Sequence, residues 1–202
     1  MRIKSVEFAG AIGQLGQGAP ESVAGLRQVA FAGRSNVGKS SLINRVLGRT
    51  RTPIARVSQS PGKTQEINFY QVRAEPADFT LVDLPGYGFA KVPKAIRERW
   101  QPLINGFLAG NPALAGVVQL VDMRHGPTGE DMRAIDYLAE LELPVLFVLT
   151  KADKLTATER RKALEKIPAR LGVDADQVLP VSAHSGAGIE ELLETLGGLL
   201  EG

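Results

Sequence analysis

Residues 29–47 read Val29-Ala-Phe-Ala-Gly33-Arg-Ser-Asn-Val-Gly38-Lys39-Ser40-Ser-Leu-Ile-Asn-Arg-Val-Leu47. A short apolar run enters Gly33, and a stretch of helical periodicity runs from Lys39 to Leu47 and stops at Gly48. Between them lies the pattern G-x-x-x-x-G-K-S, a glycine-bounded loop joining a strand to a helix. Such glycines let backbone N–H groups turn inward onto phosphate oxygens, and the helix N-terminus adds positive field. Gly33, Arg34, Ser35, Asn36, Val37, Gly38 and Ser41 are therefore candidate phosphate-cradling residues. Lys39 is expected to reach the β- and γ-phosphates of a nucleotide, and Ser40 to ligate Mg²⁺.

Strand and helix signals alternate outward from this loop. Strands are expected at 29–32, 66–73, 79–83, 116–122, 144–149 and 177–181, and helices at 39–47, 93–108, 131–141, 158–171 and 189–200. Strands 66–73 and 79–83 are joined by a short turn and should form an antiparallel hairpin at one edge. The expected fold class is α/β, a mostly parallel six-stranded sheet with one antiparallel edge strand and helices on both faces. Residues 1–26 read as an N-terminal extension, a short strand at Ile3–Phe8 and a Gly-rich loop, ahead of a single domain at 27–202.

Composition narrows the chemistry. The 202 residues contain no Cys and two His, which excludes a disulfide framework, a thiolate metal centre and a Cys nucleophile, and disfavours a His-based metal site. The longest apolar runs are strand-sized and Arg2 and Lys4 precede no apolar segment, so no membrane contact is expected and the setting is read as cytoplasmic. The net charge is +2, but residues 1–100 carry +8 and residues 101–202 carry −6. A basic front half suits a polyanionic partner, or simply serves a phosphate ligand.

Three further motifs follow the loop in order. Asp83-Leu84-Pro85-Gly86 closes a strand, where Asp83 can hold Mg²⁺ through water and the Gly86 amide can meet a γ-phosphate. Thr150-Lys151-Ala152-Asp153 follows the strand 144–149. Guanine presents two donors on one edge, a carboxylate such as that of Asp153 can accept both, and adenine would leave it unpaired. The Lys151 stem can cover the base. Val181-Ser182-Ala183 then offers a backbone amide to guanine O6. The loop 49–65 should supply a Thr to the metal and the γ-phosphate. Thr64, within Ser60-Pro-Gly62-Lys63-Thr64-Gln65, is preferred over Thr50 and Thr52, with Gly62, Lys63 and Gln65 as neighbouring nucleotide contacts. No side chain is assigned as a catalytic base, and Lys39, Thr64 and Gly86 are the candidates for stabilising the transferring phosphoryl group.

With these residues the chain resembles the Ras-like GTPases of the translation-factor type and, more closely, the EngB/YsxC family of bacterial ribosome-assembly GTPases. The resemblance rests on Gly33 to Asn44, on Ser60 to Gln65 before Asn68-Phe69, on Asp83-Leu-Pro-Gly-Tyr-Gly88 with Ala90-Lys91, and on Val121-Asp-Met-Arg-His-Gly-Pro127. It implies a single Ras-like P-loop GTPase domain binding GTP, GDP and Mg²⁺, with Ser40 and Thr64 in the family's metal positions. It also implies association with the large ribosomal subunit precursor, its rRNA and proteins, and a need in cell division and septation. A monomer is expected.

Tyr87 stands where Ras-like enzymes often carry a water-orienting Gln, so unassisted hydrolysis is expected near ~10⁻⁴ s⁻¹, with a partner surface completing the site. The alternative is a GTP-dependent ribosome-binding placeholder with negligible hydrolysis. An ATP-using P-loop kinase is a third reading, opposed by Thr150 to Asp153. Asn36 occupies the position where potassium-activated GTPases carry an Asn, so it could place K⁺ near the phosphates or only shape the loop. Lys91, Lys94, Arg97 and Arg99 form either a solvated face or an rRNA contact, with Trp100 as a packing anchor. Asp122, Arg124 and His125 are read as turn or packing residues with no chemistry.

Overall fold

The computed structural model describes residues 1–55, 66–87 and 94–201, with only the backbone for 94–100. Among the described residues seven strands form one sheet: β1 (Arg2–Ile12), β2 (Gln28–Gly33), β3 (Ile67–Glu75), β4 (Phe79–Asp83), β5 (Leu114–Asp122), β6 (Val145–Thr150) and β7 (Val178–Pro180). Their spatial order is β1-β3-β4-β2-β5-β6-β7. β3 pairs antiparallel with both β1 and β4, so it alone runs against the others. The remaining pairings are parallel.

The sheet therefore has seven strands rather than the six expected. The additional strand is β1, read from sequence as a short strand in an extension. Paired with β3 from Arg2↔Glu75 to Ile12↔Ile67, it passes two register shifts and continues beyond Gly10. Its side chains are mostly exposed, as befits an edge strand held by backbone pairing, and this weakened its apolar signal.

Among the described residues five α-helices flank the sheet: α1 (Lys39–Val46), α2 (Lys94–Ala109), α3 (Gly129–Glu140), α4 (Ala157–Leu171) and α5 (Ile189–Glu201). Every residue of β2 is buried, as a central parallel strand covered on both faces requires. Val29 and Phe31 face Leu42 and Ile43 of α1 and Leu192 and Leu196 of α5. Ala30 and Ala32 alternate to the other face, with Leu103 and Leu108 of α2 and Leu138 of α3. Ile167 and Leu171 of α4 pack on Phe147 and Leu149 of β6. α3 and α4 start in capping boxes, Thr128 with Asp131 and Thr156 with Glu159, which satisfy first-turn amides. No helix among the described residues is long and apolar enough to cross a membrane.

Parallel pairing puts the carboxyl ends of β2, β4, β5 and β6 on one edge. Phe31 pairs with Asp83, Gly33 with Leu120, and Asp122 with Thr150. In open α/β sheets this edge is where ligands bind.

Candidate functional site

The four sequence motifs meet at this edge. The loop leaving β2 turns through Asn36 at φ 64° and Gly38 at φ 102° before α1 begins at Lys39. Asn tolerates the left-handed region better than most side chains, and Gly adopts it freely. Gly33 is required for a different reason. A Cβ there would stand 3.0 Å from Val37 Cγ1 and 3.1 Å from Leu120 Cβ, so the loop can lie against β5 only without one. The amides of Asn36, Gly38 and Lys39 have no hydrogen-bond partner among the described residues, as in a loop whose donors await an anion.

Lys39 is buried and pairs with the buried Asp83 carboxylate at the end of β4. Buried charges are tolerated when paired this way. Beyond Asp83, Leu84, Pro85 and Gly86 bring the chain back onto the phosphate loop. Ser35 N–H donates to the Tyr87 carbonyl at 2.8 Å, and Tyr87 N–H to the Gly33 carbonyl at 3.3 Å. A Cβ on Gly86 would stand 3.0 Å from Ser35 Oγ and 3.4 Å from the Ser35 backbone, so glycine leaves the two segments room to meet.

The Tyr87 side chain turns into the protein. Its hydroxyl donates to Asp131 Oδ1 at 2.8 Å and accepts from Gln119 Nε2. Asp131 Oδ2 in turn accepts from the Thr128 amide and hydroxyl at the start of α3. Burial, with the Asp131 carboxylate beside it, pushes the phenol well above its ordinary pKa, so it stays a protonated donor.

At the other end, the loop after β6 carries Lys151, Ala152 and Asp153. The Thr150 hydroxyl donates to the Val37 carbonyl at 2.6 Å, tying this strand end to the phosphate loop. The Lys151 ammonium donates to the Asn36 carbonyl and to Asp122 Oδ2, the latter at 2.9 Å. The Lys151 stem passes Gly38, with Cε 3.7 Å from where a Cβ would be. The Ala152 amide donates to the Val181 carbonyl at 3.1 Å, joining the loops after β6 and β7. The buried Ser182 hydroxyl donates to Asp153 Oδ1 at 2.7 Å. That bond does most to hold the Asp153 carboxyl below its usual pKa, against partial burial and with help from Lys154 at 3.6 Å. The group is thus an ionised acceptor at neutral pH. The Ala183 amide has no partner among the described residues.

Mg²⁺ prefers few protein oxygens, several waters and substrate phosphates. The Ser40 hydroxyl at the start of α1 and the Asp83 carboxylate at the end of β4 fit that donor set. Bound there, the ion would neutralise charge on the phosphates. Among the described residues no three His, Cys, Asp or Glu side chains cluster as a metal cage. Gly62, Lys63, Thr64, Gln65 and Lys91 lie outside the described residues, as do the side chains of Lys94, Arg97, Arg99 and Trp100. Thr50 and Thr52 are exposed and bond to no other described side chain.

Sequence reading took Asp122 as a turn or packing residue, and the structure makes it the anion shared by Arg124 and Lys151. Its carboxylate accepts from Arg124 Nε at 2.9 Å, Arg124 Nη2 at 2.7 Å and the Arg124 amide at 3.1 Å, besides Lys151. Burial alone would raise its pKa, but these bonds outweigh burial and hold it at about 2. The available signal was positional, an acid at the carboxyl end of a parallel strand.

The model of the 50S ribosome-binding GTPase family matches residues 28–151. That of the elongation factor Tu GTP-binding domain matches residues 105–201. A probable GTP-binding protein EngB of Gemmatimonas aurantiaca is 46% identical over 200 residues, covering 99% of this chain and 95% of the relative. The protein of the same description from Caldanaerobacter subterraneus subsp. tengcongensis is 40% identical over 201 residues, covering 100% of both. A crystal structure of a probable GTP-binding protein engB superposes with a TM-score of 0.68 at 27% identity, covering 86% of this chain and 98% of that one. The G domain of FeoB from Methanococcus jannaschii shares the fold, with a TM-score of 0.60 at 22% identity over 87% of this chain and 98% of that one.

Proposed function

The chain belongs to the EngB family of GTP-binding proteins, and from that premise we propose that it is a GTP-driven switch in cytoplasmic assembly of the large ribosomal subunit, needed for normal division and septation. It binds GTP and GDP and is a GTPase. In this reading the loop from Gly33 to Ser41 cradles the phosphates and Lys39 exchanges its Asp83 partner for phosphate oxygens. Ser40 and Thr64 ligate Mg²⁺, with Asp83 behind water. Asp153 reads the N1 and 2-amino donors of guanine, and the Ala183 amide reads its 6-oxygen. The carrying observation is the alignment on one sheet edge of a lysine held by Asp83 and a carboxylate held by Ser182, with unpartnered amides beside both. Residues 27–202 are taken as the nucleotide-binding domain, and 1–26 as an extension whose strand joins its sheet.

The ribosomal partner is supported by the matching family's description and by the basic front half. GTP contacts would order the segments around Thr64 and Gly86, and loss of the γ-phosphate would release them. The Tyr87 phenol points toward Asp131 rather than toward the phosphate loop, which supports slow unassisted hydrolysis, on the order of 10⁻⁴ s⁻¹. The partner then supplies what Tyr87 does not, and K⁺ held near Asn36 is one source of the missing positive charge.

Co-sedimentation with large-subunit particles in a non-hydrolysable GTP analogue and in GDP tests the switch. The expected result is retention with the analogue and release with GDP, together with faster turnover when particles are added. Equal binding in both nucleotides would refute the switch, and unstimulated turnover would leave a placeholder that hardly hydrolyses. Equal rates in KCl and NaCl at one ionic strength would remove K⁺ from the scheme.

A further inference from the structure

The loop between β7 and α5 folds around Ser182. The Ser182 amide donates to the Ala187 carbonyl and the Gly186 amide to the Ser182 carbonyl, each at 2.9 Å, while the Ser185 amide donates to Ser182 Oγ at 3.0 Å. These bonds close the loop on itself and leave the carbonyls of Ala183 and His184 without a backbone partner among the described residues. One side chain takes both. Arg45, in the last turn of α1, donates from Nε to the Ala183 carbonyl at 2.6 Å and from Nη2 to the His184 carbonyl.

We propose that Arg45 is a positioning residue for purine recognition: its guanidinium fixes the two peptide units that follow the Ala183 amide, so that the loop presents that amide to the guanine 6-oxygen. The proposal rests on the nucleotide-binding reading above and deepens it. The geometry supports it in two ways. A guanidinium is a rigid planar fork, so binding two successive carbonyls orients the two peptide planes that carry them, which a single flexible ammonium cannot do. The Ala183 amide lies in the preceding peptide unit, whose Ser182 carbonyl is held by the Gly186 amide. Gly186 thus fixes the near side of the Ala183 Cα and Arg45 the far side, and together they limit the φ and ψ rotations that would turn the amide away. Arg45 also stands on the helix whose first turn carries Lys39 and Ser40. The element that meets the phosphates thus holds the loop that meets the base, and their spacing is set by one helix.

A brace that only stabilises the loop would weaken every nucleotide alike, whereas a positioning role predicts loss of discrimination at one atom. Calorimetry with GDP, inosine diphosphate and 6-thioguanosine diphosphate separates the two. Inosine diphosphate lacks the 2-amino group read by Asp153. 6-Thioguanosine diphosphate keeps both donors for Asp153 and replaces only the 6-oxygen, with a weaker acceptor. The wild-type protein should prefer GDP over both analogues. In Arg45→Ala the preference over 6-thioguanosine diphosphate should shrink by about tenfold, the value of one well-placed hydrogen bond. The preference over inosine diphosphate should hold within about twofold, because the Ser182–Asp153 contact does not involve Arg45. Arg45→Gln, which retains a donor and much of the length, is read the same way if Arg45→Ala fails to fold, with an intermediate loss. An unchanged preference over 6-thioguanosine diphosphate in a folded variant overturns the proposal while leaving the nucleotide site intact. A wild-type protein that binds none of the three overturns the site itself, and the proposal with it.

Discussion

Replacing Asp122 by Asn tests whether the acid at the end of β5 anchors Lys151. The carboxylate is only 5% exposed and accepts four hydrogen bonds from Arg124 and Lys151. An amide offers one acceptor oxygen and turns an NH₂ group toward donors that previously met an anion. The drop of its pKa from 3.8 to about 2 corresponds to about 2.4 kcal/mol at neutral pH. Arg124 is 37% and Lys151 26% exposed, so water screens the cluster and about 1–2 kcal/mol remains as the expected loss. The folded pKa lies below the unfolded one, so this stabilisation is complete above about pH 4 and is lost as the pH falls through about 2. Urea unfolding of both proteins at pH 7, 5 and 3 should show the same gap at the first two values and about half of it at pH 3. The variant should also bind GDP about fivefold more weakly, because the Lys151 ammonium keeps the Asn36 carbonyl alone, a loss of about 1 kcal/mol. A gap that stays constant from pH 7 to pH 3, or normal GDP affinity, would refute the anchoring role.

Asn44→Ala removes three bonds at once: its Oδ1 accepts from the Ile54 and Ala55 amides at 2.9 Å, and its Nδ2 donates to the Ala55 carbonyl at 2.8 Å. Ala55 is buried, so the orphaned groups should cost about 3 kcal/mol and lower Tm by about 6–12 °C in scanning calorimetry. A shift below about 1 °C would show that water replaces the side chain freely. Tyr87→Phe leaves Asp131 Oδ1 without its phenol donor and should lower unfolding free energy by about 1–2 kcal/mol in denaturant titration. Single-turnover GTP hydrolysis without a partner should stay within about twofold of wild type, since the hydroxyl faces α3, and a tenfold fall would make the phenol catalytic.

Elements with a covered apolar face were legible, and those held by backbone pairing were less so. β2 is buried on both sides and enters a glycine loop, so period and turn chemistry agree at one point. β4, β5 and β6 announce themselves the same way. β1 does not, because only Val6 and Ile12 of its eleven residues are buried. Its backbone partners lie in β3, and its path past Gly10 mimics a loop in sequence. The four motifs of the site were readable because each is a contiguous run at a strand end whose chemistry follows from its own residues. Asp122 and Arg45 were not, because their roles come from partners elsewhere. Asp122 meets Lys151 29 positions on, and Arg45 meets Ala183 138 positions on. Neither separation leaves a local pattern.

The bonds between the loops explain how one ligand can be read at two ends. The phosphate loop is fastened on one side to the chain beyond Asp83, through Ser35 and Tyr87. On the other it is fastened to the base-reading loop, through Val37 with Thr150 and Asn36 with Lys151. Gripping the base therefore steadies the phosphate loop, and this coupling is the same for GDP and GTP because both carry the base. In the proposed reading the third phosphate lies toward the Asp83–Gly86 side and the loop that carries Thr64. There Lys39 already has an anionic partner, so its arrival at a phosphate is an exchange of anions rather than a transfer from water, and neither Lys39 nor Asp83 passes through an unpaired buried state if a cation takes the carboxylate as the lysine leaves it. In the proposed reading, affinity for guanine and response to the γ-phosphate are thus carried by different sides of one loop, which would let a switch hold its nucleotide in both states while changing shape only where the third phosphate binds.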